Sequence, residues 1–227
     1  MNDIVVYGIP GSPYLRSALL GLHEKAASYR LAVVGCGFAA RSEEHLQRHP
    51  FGRIPILEHG DFRLYETQAI LRYLDAALPG VALQPQGARA IARMSQIAGI
   101  VDWYVFPSIS VGITAERFMS QRFWNRGPDE ANIAQALPRA RICLQELARL
   151  QGSAEFLAGD TLSIADLMVA PQLQFFRGTP EAEALMQGTA LDDWLKRMQA
   201  RPSMQATEVE RLKQAAWLAR KRPPKRR

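Results

Sequence analysis

The sequence predicts an α/β fold joined to an all-α one: a β-α-β then β-β-α unit over residues 1–78, followed by a helical domain over 88–219. Three observations carry this. Apolar, β-branched runs alternate with helix-period segments only in the first third of the chain. Leu78-Pro79-Gly80 stops the last of those helices, and residues 79–87, with Pro85 among them, read as a linker. From Ala88 onward no strand pattern appears.

Taken in order, Ile4-Val5-Val6-Tyr7 is a first strand, and Gly8 to Gly11 a loop. Ser12 is placed as N-cap and Pro13 as first residue of a helix reaching about Lys25. Tyr29 to Val34 is a second strand, Gly35 to Ala40 a loop, and Ser42 to Arg48 a short helix. Ile54-Pro55-Ile56-Leu57 then opens a hairpin through the turn His59-Gly60-Asp61, and Phe62 and Leu64 alternate with Arg63 and Tyr65 as in a half-buried strand. Glu66-Thr67 introduces a helix to about Ala77. In the second part, Ala88 to about Ser120 is helical with a kink expected at Pro107. Asp129–Leu150, Ser163–Phe176, Glu181–Met186, Leu191–Ala200 and Ser203–Leu218 follow. Ser163-Ile164-Ala165-Asp166 is a capping box, a folding signal whose serine is worth about 1 kcal/mol.

The stretch from Arg53 to Thr67 carries the chemistry. An X-Pro bond can be cis, which turns the preceding residue's N–H and C=O outward, where an extended peptide can pair with them. A hydroxyl residue opening a helix offers free N–H groups and the positive end of the helix dipole, which suits a carboxylate. Glu66 beside it can hold an ammonium. Together these describe a pocket for a small peptide bearing both groups; an ordinary hairpin followed by a capped helix explains the same residues.

Bulk properties exclude several classes. No run approaches the apolar length of a membrane-spanning helix, and the N-terminus lacks a signal peptide's charged start and apolar core, so a cytoplasmic location is expected. Cys36 and Cys143 form no metal-spaced or CxxC pair and read as structural. The net charge of +6 resides in Arg220, Lys221, Arg222, Lys225, Arg226 and Arg227; the other basic residues balance the 22 acidic ones. A basic tail over 220–227 with a near-neutral body argues against a nucleic-acid protein.

The run His49-Pro50-Phe51-Gly52-Arg53-Ile54-Pro55-Ile56-Leu57, followed by Glu66-Thr67-Gln68-Ala69-Ile70, resembles the cytosolic glutathione transferase family, in a bacterial, serine-type form. The resemblance implies a thioredoxin-like first domain, glutathione as co-substrate, no metal, a homodimer, a hydrophobic electrophile, and a role in detoxification. It places Ser12, in Gly11-Ser12-Pro13-Tyr14, at the catalytic position. There a hydroxyl donor at a helix N-terminus lowers the pKa of glutathione's thiol from near 8.5, and the thiolate attacks the electrophile. Ser12 also reads simply as an N-cap. Tyr7, ending the first strand, is the rival for the same task, with Tyr14 as pocket wall. By the same resemblance Ile54 and Pro55 meet the cysteinyl part of glutathione, Glu66 and Thr67 its γ-glutamyl end, and Arg41 and Arg53 its glycine carboxylate, which an arginine fork can grip. Thr67 stands where many members carry serine. Asp102 is implied as a contact from the partner subunit, and Trp103 and Phe106 (with Phe118 and Trp124) as walls for the second substrate between the domains. His23, His45, His49 and His59 stand in no nucleophile motif and read as surface or loop residues. A glutathione-dependent isomerase or dehalogenase, or a non-catalytic binding or regulatory protein on the same fold, are the alternatives.

Overall fold

A computed structural model of the protein describes residues 3–35 and 42–221. Contacts divide the chain into two compact units, Met1–Val81 with Arg201–Arg227, and Ala82–Ala200.

In the first unit four strands, β1 (Ile4–Gly8), β2 (Arg30–Val33), β3 (Ile56–His59) and β4 (Phe62–Tyr65), form one sheet in the order β2-β1-β3-β4. β1 and β2 are parallel, joined across α1 (Pro13–Glu24); β3 runs antiparallel to β1, and β4 closes a hairpin on β3. A short α2 (Glu43–Arg48) and α3 (Thr67–Ala77) complete the expected order. Alternation along the strands sorts the faces. Ile4 and Val6 of β1 and Leu57 of β3 point into a core with Leu15, Ala18, Leu19 and Leu22 of α1 and Ile70 and Leu74 of α3. Each of the valine, leucine and isoleucine side chains contributes roughly 1.5–3 kcal/mol on burial. α1 approaches β1 closely because position 8 is glycine: a Cβ there would stand 2.6 Å from a methyl of Leu15.

The chain's last described segment belongs to this unit as well. α10 (Pro202–Ala206) packs on α1, and α11 (Val209–Lys221) on β2, with Leu212 entering the same core. Arg16 Nε donates to Thr207 Oγ1 at 3.1 Å, and its Nη2 to the Met204 carbonyl. Arg201 and Ser203 both donate to Glu24. The helical domain expected over 88–219 is therefore shorter, and the single helix expected over Ser203–Leu218 is two. Buried Thr207, tied to Arg16, leaves the helical conformation at the break. Both differences accompany side-chain bonds across sequence separations of 177 to 191 residues.

The second unit is helical: α4 (Ala88–Ile100), a π-helical stretch (Val101–Ala115), α5 (Glu116–Trp124), α6 (Glu130–Gln151), α7 (Ile164–Phe176), α8 (Pro180–Met186) and α9 (Ala190–Gln199). The kink expected at Pro107 is replaced by the π-helical stretch. Proline lacks the N–H for an i→i−4 bond and crowds the carbonyl four residues back, and a wider turn relieves both. α4 to α5 thus run on as one helix of 37 residues, which by length and composition is long and apolar enough to cross a membrane, contrary to the sequence expectation. Half of its most apolar window is buried inside the structure. Val101, Val105, Ile109 and Ile113 form a buried stripe on the π-helical stretch, which packs on α6 and α7, so the apolarity is that of a core helix.

The capping box opens α7, and its carboxylate is a hub. Asp166 Oδ2 accepts from the Ser163 N–H (2.9 Å) and hydroxyl (3.0 Å), and Oδ1 from the Leu157 N–H (2.9 Å) and Trp194 Nε1 (3.0 Å). A second buried acid, Glu116, takes Arg126 bidentately at 2.8 and 2.9 Å and the Asp129 N–H at 3.2 Å. These bonds, the one from Arg126 foremost, hold its carboxyl down to about 2. Because the folded value lies below the ordinary 4.5, the unfolded chain takes up this proton first as pH falls. The stabilisation is complete above pH 4.5 and is lost as pH falls toward 2. Urea midpoints measured across that window should fall with acid, and Glu116→Gln should flatten that part of the slope; an unchanged slope in the variant would count against the pairing.

Candidate functional site

Strand register brings three of the predicted segments, those holding Ser12, Ile54–Pro55 and Glu66–Thr67, to one end of the sheet. Tyr7 of β1 pairs with Ile56 of β3, which pairs with Tyr65 of β4, while Gly8 pairs with Val33 of β2. The segment Gly8–Ser12 leaves β1 at this end of the sheet, Ile54–Pro55 enters β3 at it, and Glu66–Thr67 leaves β4 from it. The chain after Val33 also departs here, toward Arg41, which lies outside the described residues, as does Cys36.

Ser12 is the N-cap of α1 in extended conformation, and its Oγ accepts from the Leu15 N–H at 3.3 Å, with Pro13 as first helical residue. A hydroxyl has one proton to give besides its lone pairs. Capping uses a lone pair, and the Ser12 proton has no partner among the described residues. The N-cap reading of Ser12 is thus observed, and capping does not use its hydroxyl proton. No acidic residue occupies the first turn of α1 to offset the positive end of its dipole.

The Ile54–Pro55 peptide is cis, and Pro55 is buried. Glu66 adopts φ 70 and ψ 115, a left-handed backbone that a non-glycine residue holds at a cost of order 1–3 kcal/mol and that clusters at binding sites. It precedes the first residue of α3, Thr67, which is buried, and no side chain caps the helix. The free N–H groups of that first turn and the exposed Glu66 carboxylate offer complementary partners for a carboxylate and an ammonium. Arg53 is exposed beside Ile54, and Tyr14, in the first turn of α1, is half-buried.

Tyr7 is engaged elsewhere. On the sheet face opposite the core its hydroxyl donates to Glu58 Oε2 at 2.6 Å, and the guanidinium of Arg48 lies 4.8 Å over its ring. Burial first, then the bond to Glu58, push the phenol above its ordinary value of 10.0. Glu58 Oε1 in turn accepts from Arg63, which also donates to the Gln47 carbonyl of α2. The group binds α2 to the sheet. Its legible signal was the cross-strand pair Glu58 and Arg63, opposite in register and in charge.

The histidines divide. His45 and His49 are buried at 3% and 2% exposure, where surface or loop residues were expected; His49 does follow α2 in a loop, whereas His45 lies within the helix. His49 stacks on Tyr65 at 4.4 Å, and burial lowers its pKa below the ordinary 6.5. His45 Nε2 lies 2.9 Å from the Arg53 carbonyl. Asp102, Trp103 and Phe106 lie on the π-helical stretch of the second unit, Trp103 at 76% exposure, the other two half-buried. Phe118 stacks on Phe175 at 5.5 Å, and Arg126 lies over the ring of Trp124. No group of three or more potential metal ligands occurs among the described residues.

Comparison with known proteins turns this geometry into a family. Residues 2–76 match the domain described as "Glutathione S-transferase, N-terminal domain", and residues 130–197 match "Glutathione S-transferase, C-terminal domain". The chain belongs to the glutathione S-transferase family. Its relatives include glutathione S-transferase F7 of Arabidopsis thaliana, 26% identical over 89% of this chain and 98% of that protein. A probable glutathione S-transferase, GSTF1, of Oryza sativa is 28% identical over 90% and 94%. In fold, the crystal structure of glutathione transferase F7 from Populus trichocarpa superposes with a TM-score of 0.81 at 24% identity, covering 94% of this chain and 99% of that one. The glutathione S-transferase fold, a thioredoxin-like unit with a four-stranded sheet and a helical unit, is the one the sequence predicted.

Proposed function

We propose that this enzyme conjugates the thiolate of glutathione to a hydrophobic electrophile, with Ser12 as the donor to sulfur. The observation that carries the reading is the convergence of Gly8–Ser12, Ile54–Pro55 and Glu66–Thr67 at one end of the sheet. Glutathione lies there as an extended peptide. Its cysteinyl backbone pairs with Ile54 beside Pro55, its γ-glutamyl carboxylate meets the N-terminus of α3 at Thr67, and its ammonium meets Glu66. Arg53 faces the glycine carboxylate; Arg41, outside the described residues, is assigned the same task by the family resemblance alone. The sulfur comes to the N-terminus of α1, where the Ser12 proton and the helix dipole favour the thiolate. The thiolate lone pair forms the S–C bond, and the electrophile's leaving group departs with its electron pair or, in an addition, the bond from the attacked carbon to its neighbouring atom gives its electron pair to that neighbour, which takes up a proton. Tyr7 is the weaker candidate, because its proton is committed to Glu58. Tyr14 is proposed as an aromatic wall for the electrophile. The roles of Trp103, Phe106 and Asp102, the homodimer and a cytoplasmic location are carried over from the family. The relatives named above are plant enzymes, so the serine type is kept in this proposal and the bacterial type is not.

Calorimetric titration of glutathione into the wild type and into Glu66→Ala tests the reading. The wild type should bind saturably, and the variant should bind about ten-fold more weakly through loss of one charged hydrogen bond. No binding by the wild type at millimolar glutathione would sink the proposal.

A further inference from the structure

Tautomer and peptide geometry together give His45 a task. The Arg53 carbonyl can only accept, so Nε2, 2.9 Å from it, carries the proton and donates. The other ring nitrogen, Nδ1, is buried with no partner among the described residues. The Arg53 carbonyl and the Ile54 N–H belong to one peptide unit. That unit is trans, since the cis bond is the next one, Ile54–Pro55. In a trans peptide the C=O and N–H point in opposite directions. A bond that draws the carbonyl toward the buried His45 therefore turns the Ile54 N–H away from it.

The helix that carries the ring is itself anchored. Ser42 Oγ accepts from the His45 N–H at 3.3 Å, capping α2. α2 is held to the sheet by Arg63 on the Gln47 carbonyl and by Arg48 over Tyr7. A continuous path thus runs from the Tyr7–Glu58 group through α2 and His45 to the peptide plane before Pro55.

We infer that His45 is a positioning residue for the peptide-binding edge: its Nε2 proton locks the Arg53–Ile54 peptide so that the Ile54 N–H is presented to the cysteinyl carbonyl of glutathione. This rests on the reading of Ile54 given under the proposed function. His45 touches neither substrate nor sulfur, so it acts on affinity for glutathione and not on the chemical step.

The test compares His45→Phe, which keeps an aromatic ring and removes the donor, with His45→Gln, whose Nε2 reaches about as far as the lost one. Steady-state rates, calorimetric titration with glutathione and thermal midpoints are measured on each full-length protein. His45→Phe should raise the KM and Kd for glutathione about five-fold, as expected for one lost hydrogen bond, with kcat at saturating glutathione within about two-fold of wild type. His45→Gln should restore both constants. Should His45→Phe fail to fold, His45→Asn takes its place, because its shorter amide falls short of the carbonyl; its KM should rise as well. A merely structural role would lower the thermal midpoint and the active fraction and leave KM unmoved, and that pattern overturns the inference. Equal KM increases in His45→Phe and His45→Gln also overturn it. Failure of the wild type to bind glutathione would instead overturn the reading on which the inference rests, so the two failures are distinct.

Discussion

Replacing Ser12 by alanine lowers kcat for glutathione conjugation by about 10²–10³-fold, the usual cost of removing one preorganised donor to a developing or resident anion. The hydroxyl does two jobs in the structure, accepting from Leu15 N–H and keeping its own proton available. The substitution therefore has two separable effects. Loss of the cap costs about 1 kcal/mol of stability, visible as a lowered urea midpoint. Loss of the proton donor leaves the bound thiol closer to its free value near 8.5, visible as a shift of the thiolate's ultraviolet absorbance to higher pH in the glutathione complex. Tyr7→Phe is the control. Its hydroxyl is spent on Glu58, so its rate should stay within a few-fold of wild type. If Tyr7→Phe abolishes turnover and Ser12→Ala does not, the assignment of the thiol donor is reversed.

Replacing Asp166 by alanine destabilises the protein by about 3–5 kcal/mol, the upper range reached when a buried hydrogen-bond network is broken and its donors are left unsatisfied. Four donors converge on this carboxylate: two backbone N–H groups, a hydroxyl and an indole N–H. Each oxygen accepts two of them, and all four lose an acceptor in a site with no exposure to water. Asp166→Asn keeps one acceptor oxygen and sets an NH₂ against two donors, so it should fall between wild type and alanine. The cap is thus worth more through Asp166 than through the roughly 1 kcal/mol expected of Ser163, because the carboxylate also ties α9 to the start of α7 through Trp194. Chemical denaturation followed by tryptophan fluorescence measures all three proteins. A loss below about 1 kcal/mol in Asp166→Ala would show that the network does not hold the helical unit together.

Much of the first unit was legible because its signals are local. Period-two alternation, the Ser12-Pro13 helix start, the turn at His59-Gly60-Asp61 and the proline-opened strand each depend on a few neighbouring residues, and the strands and helices formed where those residues lie. The candidate site was legible for the same reason: its parts are the ends of those local elements. His45 escaped because nothing in Ser42-Glu43-Glu44-His45 marks its ring as buried; only the path of the chain over residues 49–53 brings the Arg53 carbonyl to it. Tyr7 was open as a thiol donor because strand position does not say what its hydroxyl meets, and Glu58 is 51 residues away.

What the sequence by itself determined was the succession of elements, the family motif and the candidate groups proposed to hold a peptide carrying an amine and a carboxylate. Those follow from propensity, periodicity and side-chain chemistry, which are properties of short stretches. The tertiary structure alone decided that three separate segments share one end of a sheet and that Arg16 and Glu24 draw residues 201–221 back onto the first unit. It also decided that Pro107 widens a helix where a kink was expected. Each depends on strand register or on side-chain bonds between residues distant in sequence, and such pairings are settled by which buried polar groups find partners when the whole chain packs.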